Sequence, residues 1–487
     1  MNISINKQPD PKVPEDEYPF LLEVAPLLLT IALLVIQFSV FDSIEPHIPL
    51  VCGIVITGIF IRIRGLKWLD MESHFYKIIK IGLPALMILM GVGMLISAWI
   101  VGGTVPTIIY YGLGLFSPST FLFSVCLICA IISLATGTSW GTVGTVGLAM
   151  MGIGEGLGIP AAMTGGALVS GAFFGDKMSP LSDTTNLTAA VCEIDLWRHI
   201  RGMMPTTVPA MLIALGLYAW IGSSYGSDVS NIDTVAAIQE NLAAHYQLSI
   251  ITLLPALVVI AGAVMRLPAL PTIYSGIIAG CLVAMFLQGA EVKELFNWLQ
   301  NGVKSNTGLE SVDKLLSKGG MQSMTWVVTL TICALGFVGS LEYYGTLQAI
   351  LSKISLWVKG RISLVGTSYA GIVGLGVLIG DVYTTLVLPG RLMKDKYVEL
   401  GYRRTTLSRA IEDCGTLLSP LIPWNMGGAY VAATIGIATF TYAPYAFVCW
   451  LAPCFGMLWA VTGFFIPRRQ PPNEPEDIEP PKEWEGL

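Results

Sequence analysis

The chain alternates long apolar runs with short polar stretches. Runs long enough to cross a bilayer as helices, about 20 residues each, fall at 20–41, 47–63, 81–101, 158–192, 203–224, 247–265, 269–288, 322–340, 404–436 and 441–466. Two more apolar stretches, 119–157 and 362–390, are interrupted at their centres by glycines and hydroxyl residues. The pattern predicts an all-α polytopic membrane protein with about ten transmembrane helices.

Positive charge orients these runs. Arg62, Arg64, Lys67, Lys77 and Lys80 mark 61–80 as cytoplasmic, and Arg198 and Arg201 do the same for 193–202. Arg391, Lys394, Lys396, Arg403 and Arg404 form a third basic cluster, and Arg468 and Arg469 a fourth. The loops near 42–48, 102–118 and 225–246 contain no Lys or Arg and are expected outside; 289–321, with four lysines against four acids, does not discriminate. On this count 119–157 enters and leaves from the outer side, and 362–390 from the cytoplasmic side. Both are read as re-entrant hairpins, tolerated at membrane depth only against protein or a water-filled cavity. Their tips, "ATGTSWGTVGT" (135–145) and "LIGDVYTTLVLPG" (378–390), are small and hydroxyl-rich. Both termini are expected in the cytoplasm.

The chain repeats itself. Gly175-x-x-x-Ser179-Pro180-Leu181 returns 240 residues later as Gly415-x-x-x-Ser419-Pro420-Leu421. The tips correspond too, Gly137-Thr138-Ser139-Trp140-Gly141-Thr142 with Gly380-Asp381-Val382-Tyr383-Thr384-Thr385, 243 residues apart. The division is a polar tail (1–19), a first repeat (20–225, hairpin 119–157, broken helix 158–192), a connecting segment (226–246) and a second repeat (247–466, hairpin 362–390, broken helix 404–436). An acidic, proline-rich tail (467–487) follows. Five spans per repeat is an odd number, so the second repeat is expected inverted, with a site at the midplane where broken helices meet.

Composition agrees. The chain is 54% hydrophobic, 12% charged and has a mean hydropathy of +0.68, against about 25% charged in soluble domains. The net charge of −6 is diluted over a large chain and says nothing about nucleic acid; no nucleic-acid partner is expected. The first residues lack the basic-apolar-small order of a cleaved signal. Cys126 and Cys129 form a CxxC, but inside continuous apolar sequence they read as small packing residues. No G-x-x-x-x-G-K-[ST] is present, so a P-loop ATPase within the chain is not expected to drive it. Nothing points to an enzyme.

The candidate chemistry lies in the interrupted segments. Gly175 and Pro180 are expected to break their helix, exposing carbonyls and a half-helix N-terminus able to hold a cation and an anionic group. Asp183, among Ser182, Thr184, Thr185 and Asn186, gives an all-oxygen set suited to Na⁺ or a proton; capping the second half-helix is its alternative role. Na⁺ is placed at Asp183, Ser182 and Thr184. Asp176 either binds an ion or pairs with Lys177. Asp381, beside Tyr383, Thr384 and Thr385, is a further binding candidate, while Glu412 and Asp413 divide between function and a contact with Arg409 one turn away. Ser179 and Ser419 are expected close in space, lining one polar cavity with Thr142, Thr184, Asp381, Thr384 and Asn425. Thr138 and Ser139 belong to the same set. Trp140 and Trp424 are read as interior packing, and Glu23 as a lipid-interface residue.

Three passages, "TGTSWGTVGTVG" (136–147), "GAFFGDKMSPLSDTTNLTA" (171–189) and "IEDCGTLLSPLIPWNMGGAYVAATIG" (411–436), make the chain resemble the NhaC family of Na⁺/H⁺ antiporters, within the larger ion-transporter superfamily. The resemblance spans roughly 20–466. It implies exchange of Na⁺ for H⁺ in the inner or plasma membrane, with no other cofactor. The family also resembles exchangers of organic anions, malate/lactate antiporters among them, so a small carboxylate or an amino acid is a second possible cargo. The superfamily further implies elevator motion of the hairpins and broken helices, about 119–192 and 362–436. The remaining spans would then form a scaffold and a homodimer contact, surrounded by lipid.

Overall fold

The computed structural model describes residues 19–40, 45–225, 231–265, 267–355, 358 and 360–468. Most of both tails and part of the 226–246 connector lie outside the described residues.

The first half comprises α1 (Phe20–Val40), α2 (His47–Ile63), α3 (Trp68–Val101), α4 (Thr104–Leu115), α5 (Pro118–Thr136), α6 (Ser139–Thr142), α7 (Leu148–Gly156), α8 (Ala161–Met178), α9 (Asp183–Val191) and α10 (Leu196–Ser223). The second comprises α11 (Asn231–His245), α12 (Leu254–Val264), α13 (Ala269–Phe286), α14 (Val292–Asn301), α15 (Glu310–Leu316), α16 (Thr325–Tyr344), α17 (Thr346–Ser355), α18 (Arg361–Ile379) and α19 (Val382–Glu399). It ends with α20 (Arg404–Ile411), α21 (Met426–Ile435), α22 (Thr439–Tyr442) and α23 (Phe447–Thr462). Two π-helical turns, Val143–Gly147 and Glu412–Thr416, join α6 to α7 and extend α20. Among the described residues the one β-type pairing is an isolated bridge between Tyr402 and Arg468.

The fold is all-helical, as the apolar pattern predicts. Among the described residues four helices are long and apolar enough to cross a membrane alone, and up to seven if each pair bent by more than 40° counts as one span, against the ten read from the sequence. Polar stretches read as loops are partly helical. α3 starts at Trp68, inside the basic 61–80 stretch, and α4 fills most of 102–118 at 67° to α3. α11, α14 and α15 occupy the connector and 289–321, and α19 carries Arg391, Lys394 and Lys396. Charge in a loop marks a side of the membrane; it does not forbid a helix.

The helices pack as two groups. In one, α3 runs against α13 and α16, α2 against α1 and α16, and α12 against α13. In the other, α5 lies along α8, and α10 packs on α5, α8 and α23. There α18, α19 and α20 pack on one another and α9 on α19. The sequence reading gave 203–224 and 441–466 to the scaffold. Their helices, α10 and α23, instead join the group with the hairpins and broken helices. The close approach of α5 and α8 depends on Gly175: a Cβ there would lie 2.3 Å from the Ala130 carbonyl oxygen. Gly175 therefore sits inside α8 as a contact residue. The helix breaks only after Met178, at 179–182.

Candidate functional site

Both hairpin tips are built alike. α5 and α18 each end on a left-handed glycine, Gly137 and Gly380, both at φ 71°, a conformation that costs a side-chain-bearing residue energy. The next residue caps the returning helix: Thr138 Oγ1 accepts from the Gly141 N–H at 3.0 Å, and Asp381 from the Thr384 N–H at 2.7 Å. The half-helices after the breaks are also capped, α9 by Ser182 and α21 by Asn425. The capping role weighed for Asp183 thus falls to Ser182, because Asp183 is already the first helical residue.

The first tip, the first break and the start of α9 face α3, α12 and α13 across a cavity of about 630 Å³. It is bordered by Thr138, Ser139, Thr142, Asp176, Asp183, Thr184 and Asn186, and from the second half by Tyr383, Thr416 and Ser419. Val92, Leu95, Val259 and Ile273 close the opposite wall with hydrocarbon. Thr416 follows Asp176 by the 240 residues that separate the Ser-Pro-Leu motifs, and Tyr383 follows Trp140, another lining residue, by the tips' 243. Thr416 stands at the first variable position of the second motif, where the first has Asp176; aligning the two copies would have marked it, and the sequence reading passed over it.

Asp176 is 4% exposed. Its Oδ2 accepts from the Ser139 hydroxyl at 2.6 Å, while its Oδ1 is buried with no hydrogen-bond partner. Asp183 is exposed to the cavity; its Oδ1 accepts from the Thr184 N–H at 2.9 Å and its Oδ2 from the Tyr383 hydroxyl at 2.7 Å. Two carboxylates thus share a cavity with hydroxyl oxygens and the N-terminal turn of α9. Hard oxygen donors of this kind suit a small cation, and the helix end favours an anionic group.

Other predicted residues serve the architecture. Ser179 donates to the Leu134 carbonyl at 2.8 Å, Thr185 to that of Lys177 at 3.0 Å, and Thr385 to that of Asp381 at 2.6 Å. Ser182 lies 3.0 Å from the Thr184 hydroxyl behind the lining. Asn186 also donates to the Pro180 carbonyl at 2.9 Å, and Asn425 to that of Gly376 at 3.1 Å. Of the expected shared lining, Thr142, Thr184 and Ser419 border the cavity, whereas Ser179, Asp381, Thr384 and Asn425 do not. Trp140 stacks on Tyr430 at 4.6 Å, and Trp424 donates to the Val377 carbonyl. Glu23 approaches Arg64 at 3.6 Å.

Lys177 does not pair with its neighbour Asp176. Consecutive helical residues point about 100° apart, and its ammonium crosses to Asp413. Both are fully buried. Asp413 also accepts from Thr206 at 3.0 Å and Tyr369 at 2.6 Å. Arg409 donates to the Phe465 carbonyl at 2.9 Å rather than to an acid one turn on, and Glu412 accepts from Thr188 at 2.8 Å. At the surface Glu193 takes Lys394 and Arg404. Partial burial opposes ionisation there, but the two cations outweigh it and hold the carboxyl below its ordinary range.

The model of the Na⁺/H⁺ antiporter family matches residues 171–464, more than half of the chain. The chain is similar to the Na(+)/H(+) antiporter NhaC of Alkalihalophilus pseudofirmus, at 40% identity over 91% of this chain and 96% of that protein. It is 37% identical to the malate-2H(+)/Na(+)-lactate antiporter of Bacillus subtilis, over 92% and 96% respectively. It is 36% identical to the arginine/ornithine antiporter ArcD of Halobacterium salinarum, over 89% and 90%. With the apolar helices, these likenesses identify a multi-pass membrane protein, a transporter rather than an enzyme, and the chain belongs to the Na⁺/H⁺ antiporter family.

Proposed function

We propose that this chain is a secondary antiporter of the cell membrane that exchanges Na⁺ for H⁺ at the Asp176–Asp183 cavity. The observation that carries the reading is the unpartnered Oδ1 of Asp176, a buried carboxylate oxygen at the cavity wall. Such an oxygen is costly unless something occupies it. Na⁺ or a proton can, but not both, and that competition gives exchange without leak. Ser139 fixes the carboxylate by its other oxygen. Asp183, steered by Tyr383, supplies the second charge, with Thr184 and Ser182 beside it. The loaded site carries less net charge than the empty one, which favours movement of loaded forms through an apolar surround.

The repeat is read as inverted and the motion as elevator-like. The cavity lies where the two helix groups meet, and the moving group includes α10 and α23. Cytoplasmic termini, from the basic loops, and a homodimer through the α1–α3 group complete the proposal.

A second reading has one observation in its favour. A cavity of about 630 Å³ with Trp140 and Tyr383 in its wall exceeds what a bare ion needs and would accept a small carboxylate beside the N-terminus of α9. Two relatives named for organic cargo, malate with lactate and arginine with ornithine, point the same way. Purified protein in proteoliposomes separates the two. An imposed Na⁺ gradient that moves protons with no organic solute present supports Na⁺/H⁺ exchange; flux only after a carboxylate or amino acid is added replaces it.

A further inference from the structure

We propose that Glu412 is a second proton-binding site, separate from the cavity carboxylates and reached from the cavity through the Thr416 hydroxyl. The inference rests on the Na⁺/H⁺ exchange reading and adds a proton to its cycle. Adjacent acids on one π-helical turn are treated in opposite ways. Asp413 has three donors, Lys177, Thr206 and Tyr369. Glu412, equally buried, has Thr188 on Oε1, and its Oε2 meets no donor at hydrogen-bond geometry, with the Thr416 hydroxyl nearby. A buried carboxylate oxygen without a donor is among the costliest groups a fold can hold, whereas the neutral acid needs far less.

Among the described residues no cation of the surroundings bonds to Glu412. Glu412 is neighboured on its own element by Arg409, Asp413 and Cys414, on α8 by Asp176 and Lys177, and at the end of α9 by Cys192. On the other packed elements stand His199 on α10, Tyr369 on α18, Tyr397 on α19, and Cys449 and Cys454 on α23, with Lys394 and Arg404 near Cys192. Lys177 is taken by Asp413, and the buried Arg409 is bonded to a backbone carbonyl and not to Glu412. Taking up one proton removes the charge of Glu412 without a cation bonded to it.

The route is short. Thr416 stands four residues after Glu412 on the same turn, borders the cavity, and its Oγ1 is also unpartnered. The hydroxyl can pass its proton to Glu412 Oε2 while accepting one from a hydronium ion in the cavity, which becomes water, converting carboxylate to carboxylic acid and leaving the threonine unchanged. The wider turn lets the side chains at 412 and 416 reach one route without a backbone hydrogen bond between them.

The test measures protons released per Na⁺ bound by purified protein in weak buffer. Glu412→Gln should lower that ratio by about one proton, and Glu412→Asp should restore part of it. An unchanged ratio in the Gln variant overturns the assignment of Glu412. If that variant does not fold, Thr416→Val carries the test: the relay predicts release slowed at least about tenfold, and an unchanged rate overturns it. Unmodified protein that releases no proton on Na⁺ addition overturns the exchange reading itself. Loss of release in the Gln variant alone cannot be mistaken for that outcome.

Discussion

The two broken helices share a plan and divide the work. The first break is four residues, 179–182, between Met178 and Asp183, and its acids, Asp176 and Asp183, face the cavity. The second runs from Leu417 to the cap Asn425, is longer, and presents hydroxyls where the first presents Asp176: Thr416 and Ser419 line the cavity. Its acids lie one turn earlier and point away, into a network completed by Lys177 from the first half. Two similar broken helices can therefore border one cavity while only the first brings carboxylates to it. A second pair of cavity carboxylates would add repulsion that one Na⁺ could not offset.

The comparison breaks most visibly at Asp176. Asp176→Asn is expected to lower Na⁺-driven proton flux in proteoliposomes by at least about 100-fold, whereas Thr416→Ser at the matching position should lower it only a few-fold. Equal losses would mean that both walls bind the ion. Asp183→Asn should rank next, a loss of about tenfold or more with near-normal yield, because asparagine keeps the Tyr383 contact but not the charge. Near-normal exchange there would confine the ion to Asp176.

Stability tests the link between halves. Lys177→Met leaves Asp413 buried and uncompensated, and should cost about 3–5 kcal/mol, read as a lowered melting temperature in detergent. Lys177→Met combined with Asp413→Leu should recover a large part of it, since breaking a buried pair costs more than replacing it. A double variant as unstable as the single one would mean that the pair matters through Thr206 and Tyr369 instead.

Smaller effects sharpen the contrast. Ser182→Ala and Asn425→Ala should each cost about 1 kcal/mol as lost caps, but only the first should also weaken Na⁺ affinity, because α9 carries Asp183. The weakest effect concerns Glu193. Lys394 and Arg404 hold its carboxyl below the ordinary range against the opposing effect of burial. Its stabilising contribution is therefore present above the unfolded carboxyl's pKa and lost as pH falls through the lower folded one. Melting curves at neutral and acid pH should differ less in Glu193→Gln than in the parent protein.

Much of this is legible in order along the chain. The apolar runs give the helices, Gly137 and Gly380 the tips, and the Ser-Pro-Leu motifs the breaks, since a missing donor or a left-handed residue acts within one turn whatever surrounds it. The hydroxyl-rich tip and Asp176, Asp183 and Thr184 stand out because polar residues in apolar sequence need a reason to be there. Partners are harder to read. Asp183 carried capping as its alternative role, which Ser182 takes, and Asp381, as polar in sequence as Asp176, lies at the second tip capping α19.

The sequence by itself determined a lipid-embedded helical protein with two matching interrupted segments per half, because hydropathy, proline and glycine act through local chain chemistry. Only the tertiary structure decided that Lys177 crosses to Asp413, that Asp176 keeps an open oxygen while Ser139 holds the other, and that Thr416 borders the same cavity. Those outcomes depend on which helices meet and at what rotation. Residues 236 apart, as Lys177 and Asp413 are, leave no trace of their pairing in any local pattern; packing of α8 against the second π-turn brings them together.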